Sequence, residues 1–302
     1  MWKELEVGAW VASRQQSMED ARGKVQEIIG RVRAEGDAAL RALSRHVKLD
    51  EIAVTDDERE AAYTRVDPEV TEALVEAEVR IARFHELQRP RDLWLQEVEE
   101  GIVLGMKTTP LDRVGIYVPG GRAAYPSSAL MCAVPAKVAG VREICACSPP
   151  PISPMTLGAL DIAGITEIYR SGGAQAVAAM ALGTETIPRV QKIVGPGNVF
   201  VTMAKVLLRE EVEMDFPAGP SEIAIIADRT ADPRILAWDI LAQAEHDPRA
   251  ACVVITTDAA LAEKVGREVE GLAAKEPRRE ILREALENCG YVLVKDMEEA
   301  VA

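Results

Sequence analysis

Residues 239–246, Asp-Ile-Leu-Ala-Gln-Ala-Glu-His, place an amide and an imidazole at a spacing that could hold a metal ion. Gln243 and His246 stand three residues apart on a predicted helix, so their side chains share a face, and Asp239 lies on the same stripe. Imidazole nitrogen is a standard zinc ligand, and an amide oxygen is a less usual one. A metal needs more ligands than these, and a single helix histidine is often a packing residue, so the spacing alone leaves both interpretations open.

Glycine-bearing turns are the second feature that could bind a ligand. They are Pro119-Gly120-Gly121, Ser171-Gly172-Gly173 and Gly195-Pro196-Gly197, and each lies between a predicted strand and a predicted helix. Glycine lets the backbone approach a ligand closely, and the N–H groups at a helix start favour anions such as a pyrophosphate. None of the turns has the dinucleotide pattern G-x-G-x-x-G, and each alone is explained by a tight turn. Together they favour a nucleotide-sized groove.

A serine and five cysteines are the remaining nucleophile candidates. Ser221 follows Gly219-Pro220 immediately before a predicted strand, where it could contact a ligand or cap the turn, and no serine–histidine–acid arrangement follows from spacing. A cysteine thiolate could act as in aldehyde oxidation. Most of the cysteines sit in apolar runs, where burial raises the thiol pKa, so we expect small buried hydrophobic residues. The cysteines are Cys132, Cys145, Cys147, Cys252 and Cys289.

The elements that must position these residues alternate between strands and helices. From residue 113, four short β-branched runs each end in a glycine or proline turn and lead into a helical pattern, which indicates a parallel sheet with right-handed crossovers. The predicted strands are 113–118, 143–147, 167–170 and 191–194, and the helices are 127–139, 155–163, 174–182 and 198–208. After a second proline–glycine turn come strands at 221–227, 251–256 and 291–294 and helices at 231–245, 259–273 and 277–288.

The segment before residue 113 has a different pattern. It predicts helices over 17–46, with an interruption at Glu35-Gly36-Asp37, and over 67–89, opened by Asp67-Pro68, then a hairpin of 94–98 and 102–106. We therefore predict an α/β fold of two Rossmann-like units, one inserted in the other, with an N-terminal helical segment. The predicted domains are a helical segment at 1–30, a discontinuous domain at 31–114 and 221–302, and an inserted domain at 115–220.

Composition excludes several classes of function. The 302 residues carry 49 acidic and 35 basic side chains, a net charge of −14 that would repel a phosphate backbone, and only 4% are aromatic. No apolar stretch approaches the ~20 residues of a membrane span. The acidic start Met1-Trp2-Lys3-Glu4 is unlike a signal peptide, and the cysteine usage is typical of a reducing compartment. We expect a cytoplasmic protein.

Five separated motifs, in order, resemble histidinol dehydrogenase, and the resemblance extends over essentially the whole chain. The motifs are Pro110-Leu111-Asp112-Arg113-Val114-Gly115-Ile116-Tyr117-Val118-Pro119-Gly120-Gly121, Ser171-Gly172-Gly173-Ala174-Gln175-Ala176, Val194-Gly195-Pro196-Gly197-Asn198-Val199-Phe200-Val201, Phe216-Pro217-Ala218-Gly219-Pro220-Ser221-Glu222 and Gln243-Ala244-Glu245-His246-Asp247-Pro248. The resemblance implies two related α/β/α units of the aldehyde-dehydrogenase type, which explains glycine turns without the usual fingerprint.

The resemblance also implies a reaction and its site. That reaction is the NAD-dependent, zinc-dependent oxidation of L-histidinol to L-histidine in two steps through an aldehyde-level intermediate, the last step of histidine biosynthesis. By motif, NAD-contacting positions match Tyr117, Gln175 and Asn198, and a substrate contact matches Ser221. Gln243 and His246 match zinc ligands of the family that also touch the substrate. This match strengthens the interpretation of the two residues as metal ligands. The family forms homodimers with sites completed across the subunit boundary.

One part of the family pattern has no match. The family's adjacent Glu-His pair, which performs acid–base catalysis, its Asp zinc ligand and its final His zinc ligand would lie beyond residue 302, and the last histidine here is His246. We therefore expect a shortened chain that alone is inactive and binds zinc weakly. Two alternatives stay open: a catalytically dead paralogue that binds nucleotide or acts as an assembly partner, and a thiol-dependent aldehyde dehydrogenase.

Overall fold

The computed structural model describes residues 2–44, 51–120, 124–216 and 222–302, and for residues 14–19 it describes the backbone alone. Contacts divide the chain into two units, one formed by Met1–Asp20 with Ala218–Ala302 and the other by Ala21–Pro217. The chain of the second unit is thus inserted between the two segments of the first. Within the described residues, no helix is long and apolar enough to cross a bilayer.

The Ala21–Pro217 unit is built on a five-stranded parallel sheet. Its strands, in chain order, are β3 (Arg113–Tyr117), β4 (Glu143–Ser148), β5 (Glu167–Arg170), β6 (Lys192–Val194) and β7 (Glu213–Met214). Along the sheet their order is β5-β4-β3-β6-β7. The chain therefore begins in the middle, runs outward to one edge, and returns to the other side of β3. This is the doubly wound arrangement, and the predicted α/β fold is confirmed.

Helices cover both faces of this sheet. On one face, α5 (Pro126–Val138) and α6 (Pro154–Ile162) pack with α3 (Asp56–Tyr63) and α4 (Pro68–Glu86) in a core shared with Ile116. On the other face lie α7 (Gly173–Leu182) and α8 (Val199–Leu208), with α2 (Asp37–Leu43) against α7. Because Gly115 of β3 has no side chain, Met180 of α7 packs directly on the strand, where a Cβ would lie 2.6 Å from its sulfur.

Local signals explain how these helices begin. Asp67 caps α4 by accepting from the Glu69 N–H at 2.9 Å, and Pro68 occupies the first turn, as predicted. The predicted interruption separates α1 (Val7–Glu35) from α2 at Gly36, whose φ is +54°. Helix α1 begins about ten residues earlier than predicted. Helix α3 was not predicted, although Thr55 and Glu58 form a complete capping box at its start.

Two further predictions concern this unit, one of a hairpin and one of the domain division. The hairpin of β1 (Leu93–Glu99) and β2 (Ile102–Lys107) is confirmed and is exposed along its whole length. The contacts group residues 31–114 with the five-stranded sheet, whereas the domain prediction from the sequence placed them with residues 221–302. The physical reason is the packing of α3 and α4 on the face that α5 and α6 form. The division into domains at 30, 114 and 220 itself stays a prediction.

The other unit contains a three-stranded parallel sheet in the order β10-β9-β8. Its strands are β8 (Glu222–Ala227), β9 (Ala251–Thr256) and β10 (Gly290–Leu293), and its helices are α9 (Pro233–Ala244), α10 (Ala259–Ala273), α11 (Arg279–Ala285) and α12 (Met297–Val301). Buried residues of β9, α9 and α10 form its core. The N-terminus belongs to this unit: Leu5 N–H donates to the Tyr291 carbonyl at 2.8 Å, and Trp2 stacks on the Tyr291 ring.

Candidate functional site

The carboxyl ends of β3 and β6 form the crevice where a ligand of the five-stranded sheet would bind. In a doubly wound sheet, ligands bind at the point where the strand order reverses, and here this point lies between β3 and β6. Gly195 follows β6 with a φ of +118°, and a Cβ there would lie 2.1 Å from the Tyr117 carbonyl oxygen. The glycine therefore allows the two strand ends to approach each other more closely than any other residue would.

Tyr117 connects this crevice to the start of α7. Its hydroxyl accepts a hydrogen bond from the Gly173 N–H at 3.0 Å, and the residue is only 3% exposed. Burial raises the pKa of Tyr117 to about 12, so the phenol stays neutral at physiological pH and keeps an O–H to donate. The side chain of Gln175 lies over the same turn, since a Cβ on Gly173 would lie 3.0 Å from its Oε1.

The start of α7 follows β5, and its first turn contributes backbone N–H donors. Its N-cap residue is Gly172, which has no side chain to cap the helix, and of the first N–H groups that of Gly173 bonds to the Tyr117 hydroxyl. The unpaired N–H groups of a helix start favour an anion, so this turn fits a phosphate group. The hydroxyl of Ser171, directly before it, is buried without a hydrogen-bond partner among the described residues.

Asn198 is the N-cap of α8 and is exposed. Its Oδ1 accepts from the N–H groups of Phe200 and Val201 at 3.0 and 3.3 Å, which fixes the side chain. With the oxygen used for capping, the amide NH₂ is the part that can donate to a ligand. Tyr117, Gln175 and Asn198 thus all lie at the carboxyl edge of one sheet, and all three belong to the Ala21–Pro217 unit.

An ion pair of a buried lysine and a half-buried aspartate, next to the Gly195 turn, was not predicted from the sequence. Lys205 of α8 is 3% exposed, and its Nζ lies 2.5 Å from Asp215 Oδ1. A signal was present, because Lys205 is the only charged residue in the apolar helix Val-Phe-Val-Thr-Met-Ala-Lys-Val-Leu-Leu. A lone lysine on a buried helix face needs a hydrogen-bond acceptor or an opposite charge. The sequence of this helix therefore indicates that such a group lies near it.

The predicted metal-binding residues lie at the end of α9, in the other unit. This helix ends at Ala244, two residues before His246, whereas the sequence predicted a helix to residue 245. The His246 N–H still bonds to the Gln243 carbonyl at 3.3 Å, so the turn continues in tighter form. Gln243 is half-buried, and His246 and Asp239 are exposed. None of the three is part of a packed apolar interior.

The imidazole of His246 has a defined orientation. Its Nδ1 lies 2.8 Å from the Ala242 carbonyl oxygen, which can only accept, so Nδ1 carries the proton. That leaves Nε2 with a free lone pair, the form in which histidine binds a metal. The residues thus fit two positions of a zinc site. Among the residues with described positions, no group of three His, Cys, Asp or Glu side chains could hold a metal.

The other sequence-based candidates have mixed outcomes. Ser221 lies outside the described residues, as do Gly121 and residues 217–220. The cysteines are buried except Cys132, which is half-buried. Burial raises the pKa of Cys132 to about 11 and that of Cys145 to about 12, and it also raises the pKa of Cys147. These thiols are therefore protonated near neutral pH, which argues against them as thiolate nucleophiles.

Comparison with known proteins gives a consistent result. The family described as histidinol dehydrogenase matches residues 11–302. A histidinol dehydrogenase of Methanosarcina barkeri is 45% identical over 296 residues, which cover 96% of this chain and 68% of the relative. That of Methanothermobacter thermautotrophicus is 50% identical over 292 residues, which cover 94% of this chain and 68% of the relative.

A solved structure agrees with the sequence comparison. The crystal structure of histidinol dehydrogenase from Elizabethkingia anophelis superposes with a TM-score of 0.83 at 36% identity, covering 92% of this chain and 66% of that one. This chain therefore spans about two thirds of the length of the relatives it matches. The extent of the match and the identity together show that the chain belongs to the histidinol dehydrogenase family.

Proposed function

We propose that this chain contributes to the oxidation of L-histidinol to L-histidine, in two NAD-dependent steps through an aldehyde-level intermediate. The observation that carries the proposal is its membership in the histidinol dehydrogenase family over residues 11–302. Each step removes two electrons and a proton to NAD as a hydride and releases a second proton, and the second step also takes up water. The complete reaction therefore forms two NADH per histidinol.

The crevice between β3 and β6 is the proposed dinucleotide site. Asn198 would donate from its amide, and Gln175 would contact the dinucleotide beside the start of α7. Tyr117, buried below them, would donate its O–H while its oxygen holds the Gly173 amide. The bound NAD supplies a hydride acceptor. The protein groups around it orient the dinucleotide and offer N–H donors to its phosphates.

Gln243 and His246 are the proposed zinc ligands, and Ser221 is a proposed substrate contact. Nε2 of His246 is available because Nδ1 is bonded to the Ala242 carbonyl. A neutral amide beside an imidazole leaves zinc more electrophilic than a thiolate set would, which suits the polarisation of an alcohol or carbonyl. Two ligands do not complete a tetrahedral shell, and the described residues offer no cluster that would supply the rest.

The proposal therefore includes a dependence on groups outside the 302 residues. We propose that the remaining ligands and the acid–base residues come from additional polypeptide, and that the active form is a homodimer. The 302-residue chain alone should not turn over histidinol. The alternative is a paralogue without catalytic activity that binds nucleotide or acts as an assembly partner.

A complementation assay distinguishes these proposals. The chain is mixed with L-histidinol, NAD and zinc, with and without a polypeptide corresponding to the part of a curated relative that this chain does not match, and NADH is followed by absorbance. We expect no NADH from the chain alone and two NADH per histidinol after complementation. Turnover by the chain alone contradicts the predicted inactivity. NAD binding with no turnover in either mixture would favour the paralogue.

A matched pair of variants tests the proposed ligand in the complemented mixture. Loss of a residue that only supports a ligand already lowers activity by about 10–100-fold, so H246N should lower it by at least as much. H85N removes a half-buried histidine of α4 and should leave the rate unchanged. Equal rates for the two variants would refute the role of His246.

A further inference from the structure

The Lys205–Asp215 ion pair forms hydrogen bonds with both the N–H and the carbonyl oxygen of Gly195, at the crevice between β3 and β6. Lys205 Nζ donates to the Gly195 carbonyl oxygen at 2.5 Å as well as to Asp215 Oδ1. The second oxygen of Asp215, Oδ2, accepts from the Gly195 N–H at 2.7 Å. The carbonyl and the N–H of Gly195 are therefore both bonded to the pair, which fixes the turn that follows β6.

The pair also connects three elements around that turn. Lys205 lies in the second turn of α8, and Asp215 directly follows β7, with its own N–H bonded to the Ile193 carbonyl of β6 at 3.1 Å. Gly195 directly follows β6 and precedes Asn198, the N-cap of α8, by three residues. A shift of the turn would therefore move Asn198 relative to β3 and β6.

A buried ion pair is weak support for stability as such. Removing two charges from water is costly, and an apolar pair of similar volume often stabilises a fold equally well. The Lys205 ammonium is nevertheless almost completely buried, and it donates one hydrogen bond to Asp215 and one to Gly195, the glycine that holds a φ of +118° beside Tyr117. The ion pair therefore stabilises the backbone conformation of Gly195.

We propose that Lys205 and Asp215 are positioning residues for the dinucleotide: they hold the 195–198 turn so that Asn198 meets the ligand in the crevice. The inference rests on the proposed function, since it assumes that NAD binds there. Neither residue needs to touch the ligand. Their contribution is to keep the turn in its bound conformation before NAD arrives, which lowers the entropy that binding must remove.

NAD titration by calorimetry tests the inference in the 302-residue chain. The main variant is K205M/D215L, which removes both hydrogen-bonding partners of Gly195 and leaves no unpaired charge. K205M alone is the second variant, which decides the test if the double variant does not fold by circular dichroism. K192M is the charge-matched control for K205M, because Lys192 is half-buried in β6 and its loss lowers the net charge by the same single unit without affecting Gly195. The double variant leaves the net charge unchanged.

We expect both variants to bind NAD about tenfold more weakly or worse, the effect of losing one hydrogen bond to a charged group, while K192M binds as the wild type does. Without NAD, hydrogen exchange of the amides of Gly195, Gly197 and Asn198 should be faster in the variants than in the wild type by a similar factor. A purely structural role would lower the melting temperature and leave NAD affinity unchanged well below it.

The outcomes separate this inference from the proposed function. Folded variants that bind NAD within about twofold of wild type overturn the positioning role and leave the proposed function standing. A wild-type chain that binds no NAD contradicts the proposed dinucleotide site itself, and the inference fails with it. Weaker binding by the variants together with wild-type binding by K192M supports both.

Discussion

Replacing Gly195 by alanine should destabilise the Ala21–Pro217 unit by more than most single methyl additions. The residue has a φ of +118°, a region that side chains with a Cβ rarely occupy, and the added methyl would lie 2.1 Å from the Tyr117 carbonyl oxygen. The obstacle is backbone of a central strand and cannot rotate away. The lysine–aspartate pair that holds the glycine in place further limits the turn's freedom to relax.

Two costs combine in this variant. Backbone strain at such a residue costs about 1–3 kcal/mol, and forcing an extra methyl into a packed site costs about 1–3 kcal/mol more. The sum is about 2–6 kcal/mol. In a unit of this size, each kcal/mol lowers the melting temperature by about 2–4 °C, so we expect a decrease of about 4–24 °C.

Thermal unfolding followed by circular dichroism measures the effect, with G30A as the matched control. Gly30 lies on the exposed side of α1 with nothing within 4 Å of a Cβ. Alanine there should stabilise the helix by about 1 kcal/mol, so the melting temperature should rise or stay constant. A G195A chain that melts with the wild type would refute the close approach of β3 and β6 as described.

Further predictions concern the phenol, the thiols and the metal. Y117F leaves the Gly173 N–H without its acceptor and should cost about 1–3 kcal/mol in denaturant unfolding, and an unchanged midpoint would argue against that bond. Because burial raises the pKa of Cys132 from 9.0 to about 11 and that of Tyr117 from 10.0 to about 12, the folded chain keeps protons that the unfolded chain loses. The contribution of these two groups to the free energy of unfolding should be complete below about pH 9 and should decline toward about pH 12. Equal free energies of unfolding at about pH 8 and 11 would therefore be inconsistent with this burial. Zinc, held by Gln243 and His246 alone, should be lost to a chelating dye, and tight stoichiometric zinc binding would contradict the two-ligand site.

Local sequence signals predicted the elements well where a side chain or a glycine acts on its own backbone. The cap and proline at Asp67-Pro68 and the break at Gly36 are of this kind. Thr55 and Glu58 are an equally local signal for the start of helix α3, although that helix was not predicted. Strand β7 is two residues long, too short for any alternation of polar and apolar residues to show.

The strand order and the contacts of the site could not be predicted in the same way. Strand–turn–helix repeats specify a parallel sheet, yet they do not say on which side of β3 the chain returns for β6. The bond from Gly173 to Tyr117 and that from Gly195 to Asp215 join residues 56 and 20 positions apart, and they follow only from that order. The motifs identified Tyr117, Gln175 and Asn198 as candidate residues, and the strand order explains why these three lie at one edge of the five-stranded sheet.

The histidine at the end of α9 is oriented by a main-chain carbonyl, since Nδ1 of His246 bonds to the oxygen of Ala242. Every residue type carries that oxygen, so neighbouring side chains can be exchanged without releasing the imidazole, provided the last helical turn persists. Mutational drift around this histidine is therefore limited by helix formation more than by side-chain identity. A proline or glycine that loosened the turn would disturb the ring more than a substitution at the surface beside it.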